Sequence, residues 1–323
     1  MSILTRRAAL ALVTAACSRP ALGAGAYPSR PVAIIVPFAA GGSADVYARL
    51  LAPKLQAALG QPFIVDDRPG AGSIIGTDYV KNAAADGYKL LLISNTHTVN
   101  ETLFAKKPFE LMTDFVPIGS INSSDLVMVT RPGLGTKTVA DLIAMAKATP
   151  GRLSYASSGP GTPYHMAGEL FKQMAGVDIL HVPYKGSSTA RVDVMGGQVD
   201  MMFDATTTMA NFIKAGKVTA LATTGRAKSA AMPTLPTVAE TVPGYEAVIW
   251  LGLVGPKALP PAIVETLSGT LQTILGDQEL KAAWIKDGAV PLVMAPAAFA
   301  AFMTEDIAKW AKVVKLSGAT AGG

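Results

Sequence analysis

What most constrains this chain is the run from Val32 to Gly60, VAIIVPFAAGGSADVYARLLAPKLQAALG, a strand, a small-residue loop and a helix in immediate succession. Val32 to Val36 is a β-branched apolar run ended by Pro37, the pattern of a buried strand. From Ser43 onwards Val46, Leu50, Leu51 and Leu55 recur at helical spacing, and Gly60 followed by Pro62 is a stop signal. Ser43 is the expected N-cap, Asp45 sits in the first turn where negative charge suits the helix dipole, and the interior Pro53 is expected to kink the helix. The loop Phe38-Ala39-Ala40-Gly41-Gly42 therefore opens onto a helix N-terminus, with up to four free backbone N–H groups and a partial positive charge. Small residues let an anion approach that backbone, so the stretch reads either as a cradle for phosphate or carboxylate or as a plain tight turn.

Ahead of this unit, Arg6-Arg7, the apolar Ala8 to Ala16 and the small residues Ala21 to Ala26 have the layout of an export signal. The apolar run is shorter than the roughly 20 residues of a spanning helix, and cleavage after Ala24-Gly25-Ala26 would release a chain starting at Tyr27. Losing Arg6, Arg7 and Arg19 takes Lys plus Arg from 28 to 25 against 23 acidic residues, a net charge near +2 that gives no reason to invoke nucleic acid. The single cysteine, Cys17, leaves with the signal, so neither disulfides nor thiol chemistry are expected in a chain long enough to bury a core without them.

Strands and helices then alternate, which predicts an α/β fold of open, mostly parallel sheets. Val116 to Val129 reads as two short strand-like runs, and Asn95-Thr96-His97-Thr98 as a polar loop after the strand Lys89 to Ser94. A second cradle follows the strand Leu153 to Ala156. Ser157-Ser158-Gly159-Pro160-Gly161-Thr162-Pro163 runs straight into a helix, with Thr162 as N-cap and Pro163 in the first helical position. Ligands in such sheets collect at the carboxyl ends of strands, and Ser43, Ser94, Thr162, Tyr184 and Asp204 all lie just past such ends.

Several stretches resemble the Bug family, the substrate-binding proteins of tripartite tricarboxylate transporters. They are Tyr27-Pro28-Ser29-Arg30-Pro31, Val36-Pro37-Phe38-Ala39-Ala40-Gly41-Gly42, Asp67-Arg68-Pro69-Gly70-Ala71-Gly72, His165-Met166-Ala167-Gly168-Glu169-Leu170-Phe171, His181-Val182-Pro183-Tyr184-Lys185-Gly186, Phe203-Asp204 and Pro243-Gly244-Tyr245-Glu246. The resemblance spans the mature chain and implies a two-lobed, type II periplasmic binding-protein fold with a ligand cleft between lobes. It places lobe 1 at residues 27–126 and 249–323 and lobe 2 at 127–248. It further implies a periplasmic monomer that captures a small organic carboxylate or dicarboxylate by hinge closure and hands it to a two-component membrane transporter, with no cofactor and no metal. The residues it assigns to the site are Phe38, Ala39, Ala40, Gly41, Gly42, Ser43 and Asp45, then Gly72, Ser73 and Ser94 on the first lobe. On the second they are Ser158, Gly161, Thr162, Pro163, His165, Tyr184 and Asp204. Two positions depart from the family pattern: Ala205 stands where Asn often follows the Phe-Asp pair, and Pro160 replaces an Asn in the second loop. Both remove polar groups, which points to a less polar or longer acid.

Two other readings compete. The same binding fold could present its ligand to a signalling receptor. Alternatively Gly70-Ala71-Gly72-Ser73-Ile74-Ile75-Gly76 matches a dinucleotide-type glycine pattern. Against an enzyme, Arg68-Pro69 separates strand from glycines, and no nucleophile-elbow, zinc-protease or Walker motif is present. His165 and Asp204 also have plainer readings, as a surface histidine and as a cap for the helix that follows.

Overall fold

The computed structural model describes residues 27–321, so residues 1–26, expected from sequence to be an export signal, and Cys17 lie outside the described residues. The opening unit forms as its pattern requires. Strand β1 (Val32–Val36) leads through the small-residue loop into helix α1 (Ser43–Leu59), which runs unbroken through the exposed Pro53 and ends on a left-handed Gly60. The N-cap is Gly42, not Ser43.

Next come β2 (Phe63–Asp67), α2 (Ile74–Lys81), β3 (Lys89–Ser94) and α3 (Asn95–Leu103). The polar Asn95 to Thr98 segment is thus the first turn of a helix. The Ser94 side chain accepts from the Thr96 N–H, and His97 caps the Ser94 N–H in return. A short α4 (Leu111–Asp114) precedes β4 (Phe115–Thr130). Its two apolar runs belong to one strand, and the two register shifts against its neighbour, near Pro117 and Ser120, account for their look of separate strands.

The middle of the chain supplies α5 (Val139–Ala148), β5 (Ser154–Ser157), α6 (Pro163–Ala175), β6 (Leu180–Pro183), α7 (Ser187–Met195), β7 (Met201–Ala205), α8 (Thr206–Lys214) and β8 (Thr219–Thr223). The chain returns through β9 (Val248–Pro256), α9 (Pro261–Leu275), α10 (Gln278–Lys286), β10 (Ala289–Pro291) and α11 (Pro296–Ser317).

The strands form one path, β2-β1-β3-β9-β4-β7-β5-β6, with β8 and β10 also paired to β4. Pairing divides it into two sheets that share β4. Residues 115–125 of β4 pair with β9, and 126–130 pair with β7 and β8, so the strand changes sheets between Asp125 and Leu126. Within each sheet the outer strands are parallel, β2-β1-β3 and β7-β5-β6, while β4 and β9 run antiparallel to their neighbours. The two outer groups are the crossover units that alternation predicts.

Both faces of the first sheet are covered, so its strands read as continuous apolar runs. Ile34, Leu90 and Leu92 pack towards α1 and α9, whereas Ile35, Leu91 and Ile93 pack with Trp250, Phe299 and Met303 of β9 and α11. The far end of α11 carries Trp310, Val313 and Val314 onto Val99 and Leu103 of α3 and Met166 of α6. Buried Asp306 ties this helix down, accepting from Trp250 Nε1 at 3.0 Å, Trp310 Nε1 at 3.1 Å and Thr98 Oγ1 at 2.5 Å.

Gly252 lies under the Phe299 ring, which Trp250 and Phe302 hold in place, and a Cβ there would overlap the ring. Gly252→Ala should therefore cost about 1–3 kcal/mol of stability, read from urea midpoints. An unchanged midpoint would mean that the ring has room to move.

Candidate functional site

A cavity of about 520 Å³, lined by loops that follow strands of both sheets, is within the size range of small-ligand sites. Five helices point their N-termini at it. Its wall includes Gly42, Ser43 and Ala44 of α1, Ser73 before α2, Ser94 before α3, Thr162, Pro163 and Tyr164 of α6, and Gly186 and Ser187 of α7. At Gly42, Ser73 and Gly186 no side chain caps the helix, so first-turn N–H groups there are not taken up by a cap. Among the described residues of the wall only Lys185 is charged, and none is acidic. Oriented amides without competing carboxylates make an environment suited to an anion. Phe38, Phe104, Pro160 and Ile249 give the remainder of the wall an apolar character.

The loop of residues 70–73 has a left-handed backbone throughout, including Ala71 and Ser73. Asn100 of α3 pins it, donating from Nδ2 to Gly72 O at 2.8 Å and to Ser73 Oγ at 3.3 Å, and Thr77 Oγ1 donates to Ser73 O. Such strain persists only where surrounding bonds fix it. Across the cavity, Thr162 Oγ1 donates to Gly159 O at 2.7 Å, which closes the second loop on itself. The two loops come close: a Cβ on Gly161 would collide with Asn100 and Leu103, and Gly72 lies against the Pro160 carbonyl.

Of the residues assigned from sequence, the wall brings together Phe38, Ala39, Gly42, Ser43, Gly72, Ser73, Ser94, Ser158, Thr162, Pro163 and Tyr184. Ala40, Gly41, Asp45, Gly161, His165 and Asp204 stand outside it. Asp45 instead accepts the Gly41 N–H at 2.9 Å and pairs with Arg49. Asp204 is fully buried, and its carboxylate accepts from Arg191 Nη1, the Ala205 N–H and Thr208 Oγ1. That is the capping reading, with burial raising its pKa and Arg191 opposing the rise. His165 accepts the Gly161 N–H on Nδ1 at 3.1 Å and stacks at 4.1 Å on His181, which itself stacks on Tyr155. It shapes the second loop from behind. Of the two departures from the family pattern, only Pro160 touches the cavity, since Ala205 is buried at the end of β7.

Residues absent from the sequence assignment also reach the wall. Tyr164 had a local signal, being in the first turn beside Pro163, and so did Ser187, which follows Gly186 at a helix start. Phe104 and Ile249 had none, because only tertiary packing carries them there.

Known proteins resemble this chain over most of its length. Residues 47–319 match the model of the tripartite tricarboxylate transporter family receptor. The chain belongs to that family. Protein BugT of Bordetella pertussis is 37% identical to it over 95% of both chains. The solved structure of the R. palustris protein Rpa4515 with adipate superposes with a TM-score of 0.88 at 34% identity, over 91% of this receptor and 99% of that chain. The periplasmic binding protein BugD gives 0.86, also at 34% identity and the same coverage. The family and these relatives are solute receptors, so the dinucleotide-enzyme reading of Gly70 to Gly76 does not hold. In the fold, Gly76 is a packing position, where a Cβ would strike Pro37 and the Arg68 carbonyl.

Burial holds His165 neutral, with a pKa lowered to about 4 and reinforced by the Lys172 charge, and holds His181 neutral with a pKa near 3. An unfolded chain protonates both near pH 6.5, so below that pH it binds protons that the folded chain refuses, and stability falls as pH drops. Between pH 7 and 4.5 the receptor should lose about 2 kcal/mol more than its His181→Gln variant, measured by urea unfolding. Equal losses would show that His181 titrates normally.

Proposed function

We propose that this receptor captures a small organic carboxylate with an apolar body and delivers it to a tripartite tricarboxylate-type membrane transporter. What supports the reading is the convergence of five helix N-termini on one cavity where, among the described residues, the one charged wall residue is a lysine. Binding through backbone amides needs few basic side chains, in keeping with a mature net charge near +2. The adipate held by a relative at 34% identity supports the carboxylate class, and the apolar wall favours an acid less polar than a citrate-like one.

In this reading lobe 1 comprises residues 27–126 and 249–323, and lobe 2 comprises 127–248. The hinge lies at the two crossings, near Leu126 and Val248. The cleft admits the acid, the loops at Phe38 to Ser43 and at Ser158 to Pro163 engage it, and closure expels water. Gly72, Ser73, Ser94 and Tyr184 complete the contacts. The protein works as an exported monomer, freed of its signal after Ala26, with a two-component transporter as its partner.

A thermal-shift screen of the chain from Tyr27 tests this, using C3 to C8 mono- and dicarboxylates, aromatic acids, acidic amino acids and citrate. A ligand at a hundred times its dissociation constant adds about 2.7 kcal/mol of stability, a shift easily seen. Hits confined to citrate-like polyacids would overturn the apolar-body assignment, and no hit among the acids would overturn the ligand class. For the best acid, Gly42→Val and Thr162→Val should each weaken binding by about 1–3 kcal/mol by calorimetry, the range of a lost charged hydrogen bond. Unchanged affinity in both would exclude these loops.

A further inference from the structure

The first cradle is held in place by the opposite lobe. Arg191, on α7, is 6% exposed, and its guanidinium serves two acceptors, one at the end of β7 and one in the loop after β1. Nη1 donates to Asp204 Oδ2 at 2.8 Å, at the end of β7 in the same sheet. Nη2 donates to the carbonyl of Gly41 at 2.8 Å, in the loop after β1, 150 residues away in sequence. Neither Arg191 nor Asp204 is on the cavity wall, so this arginine is not a direct ligand for an anion in the cavity.

Gly41 has φ +76, a conformation that only glycine takes readily, and its N–H is held by Asp45 of the helix that follows, α1. Its carbonyl is the group that Arg191 holds. In a trans peptide the carbonyl of one residue and the N–H of the next point in opposite directions. Fixing the Gly41 carbonyl therefore fixes the N–H of Gly42, the N-cap of α1 and part of the wall. On the other side of Gly42, the Ser43 hydroxyl bonds the Tyr164 hydroxyl of the second lobe at 3.1 Å. Gly42 is thus flanked on both sides by residues that the second lobe grips. Close backbone packing allows this approach, since Gly186 of the second lobe leaves no room for a Cβ against Ala39.

We infer that Arg191 is a positioning residue: it latches the two lobes together and, through the Gly41 carbonyl, sets the orientation of the first cradle only when the lobes are closed. This rests on the hinge-closure reading above. Opening breaks the Gly41 bond while leaving the Arg191–Asp204 pair intact inside the second lobe. A guanidinium can do both because its terminal nitrogens form a rigid fork, whereas a lysine ammonium at the same position can keep Asp204 but does not span both acceptors.

The test uses the mature chain, which has no cysteine once Cys17 is removed. Spin labels on cysteines replacing the exposed Lys54 of the first lobe and Lys147 of the second report the interlobe distance without any ligand. Arg191→Lys should shift the distance distribution towards a longer, open population, with an unchanged melting temperature because Asp204 keeps a cation. Arg191→Met combined with Asp204→Asn removes both buried charges together and should open the lobes in the same way. With adipate as probe, Arg191→Lys should also speed dissociation about tenfold and leave association nearly unchanged. A wild-type distance distribution in both variants overturns the latch, and so does a fall in melting temperature with no change in distance. If adipate fails to bind wild-type protein, that bears on the ligand class alone, and the distance distributions still decide the latch.

Discussion

One strand carries the load of both lobes. β4 is 16 residues long and pairs with β9 and β10 along its first part and with β7 and β8 along its last. A strand paired on two edges is the most restrained element a sheet offers, and β4 changes partners between Asp125 and Leu126, the point where the proposed hinge would lie. β9 starts at the same level, with Val248 opposite Asp125. The wall draws on elements to either side of that pair of strands and on Ile249 of β9 itself.

The cavity owes its character to backbone more than to side chains. Parallel strands deliver their loops to one end of each sheet, and the helices that follow begin there. The starts of α1, α2 and α3 from one sheet and of α6 and α7 from the other line the same cavity. Their partial charges add without a cluster of arginines, so the receptor avoids the cost of burying unpaired cations in an apolar wall. Buried charges such as Arg191 with Asp204 and the Asp306 network lie off the wall, each satisfied by its own partners.

Several features could be read from local pattern alone. The strand at Val32, the helix at Ser43, the cap at Thr162 with Pro163 following, and the glycine stops at Gly60 and Gly176 each depend on interactions within a few residues, and each stands in the fold. The capping box of Thr138 and Asp141 is of the same kind. The polar Asn95 to Thr98 turn misled because its capping partner is a histidine, His97, instead of the Glu or Gln that marks such a start. Ser43 misled for a different reason: its hydroxyl is engaged by Tyr164, a residue 121 positions away.

The sequence by itself determined the class of the fold, its family, and the two small-residue loops that open onto helices, because these follow from short-range periodicity and from motifs that are contiguous in the chain. Only the tertiary structure decided which residues face the cavity. Asp204 and His165 sit beside the loops in sequence yet turn into the protein, where Arg191 and the His181–Tyr155 stack receive them. Phe104 and Ile249 come to the wall from elements with no binding motif. Which way a side chain points after a strand ends depends on partners that other elements supply, such as Arg191 for Asp204, 13 residues away, and the periodicity of a single element does not encode that.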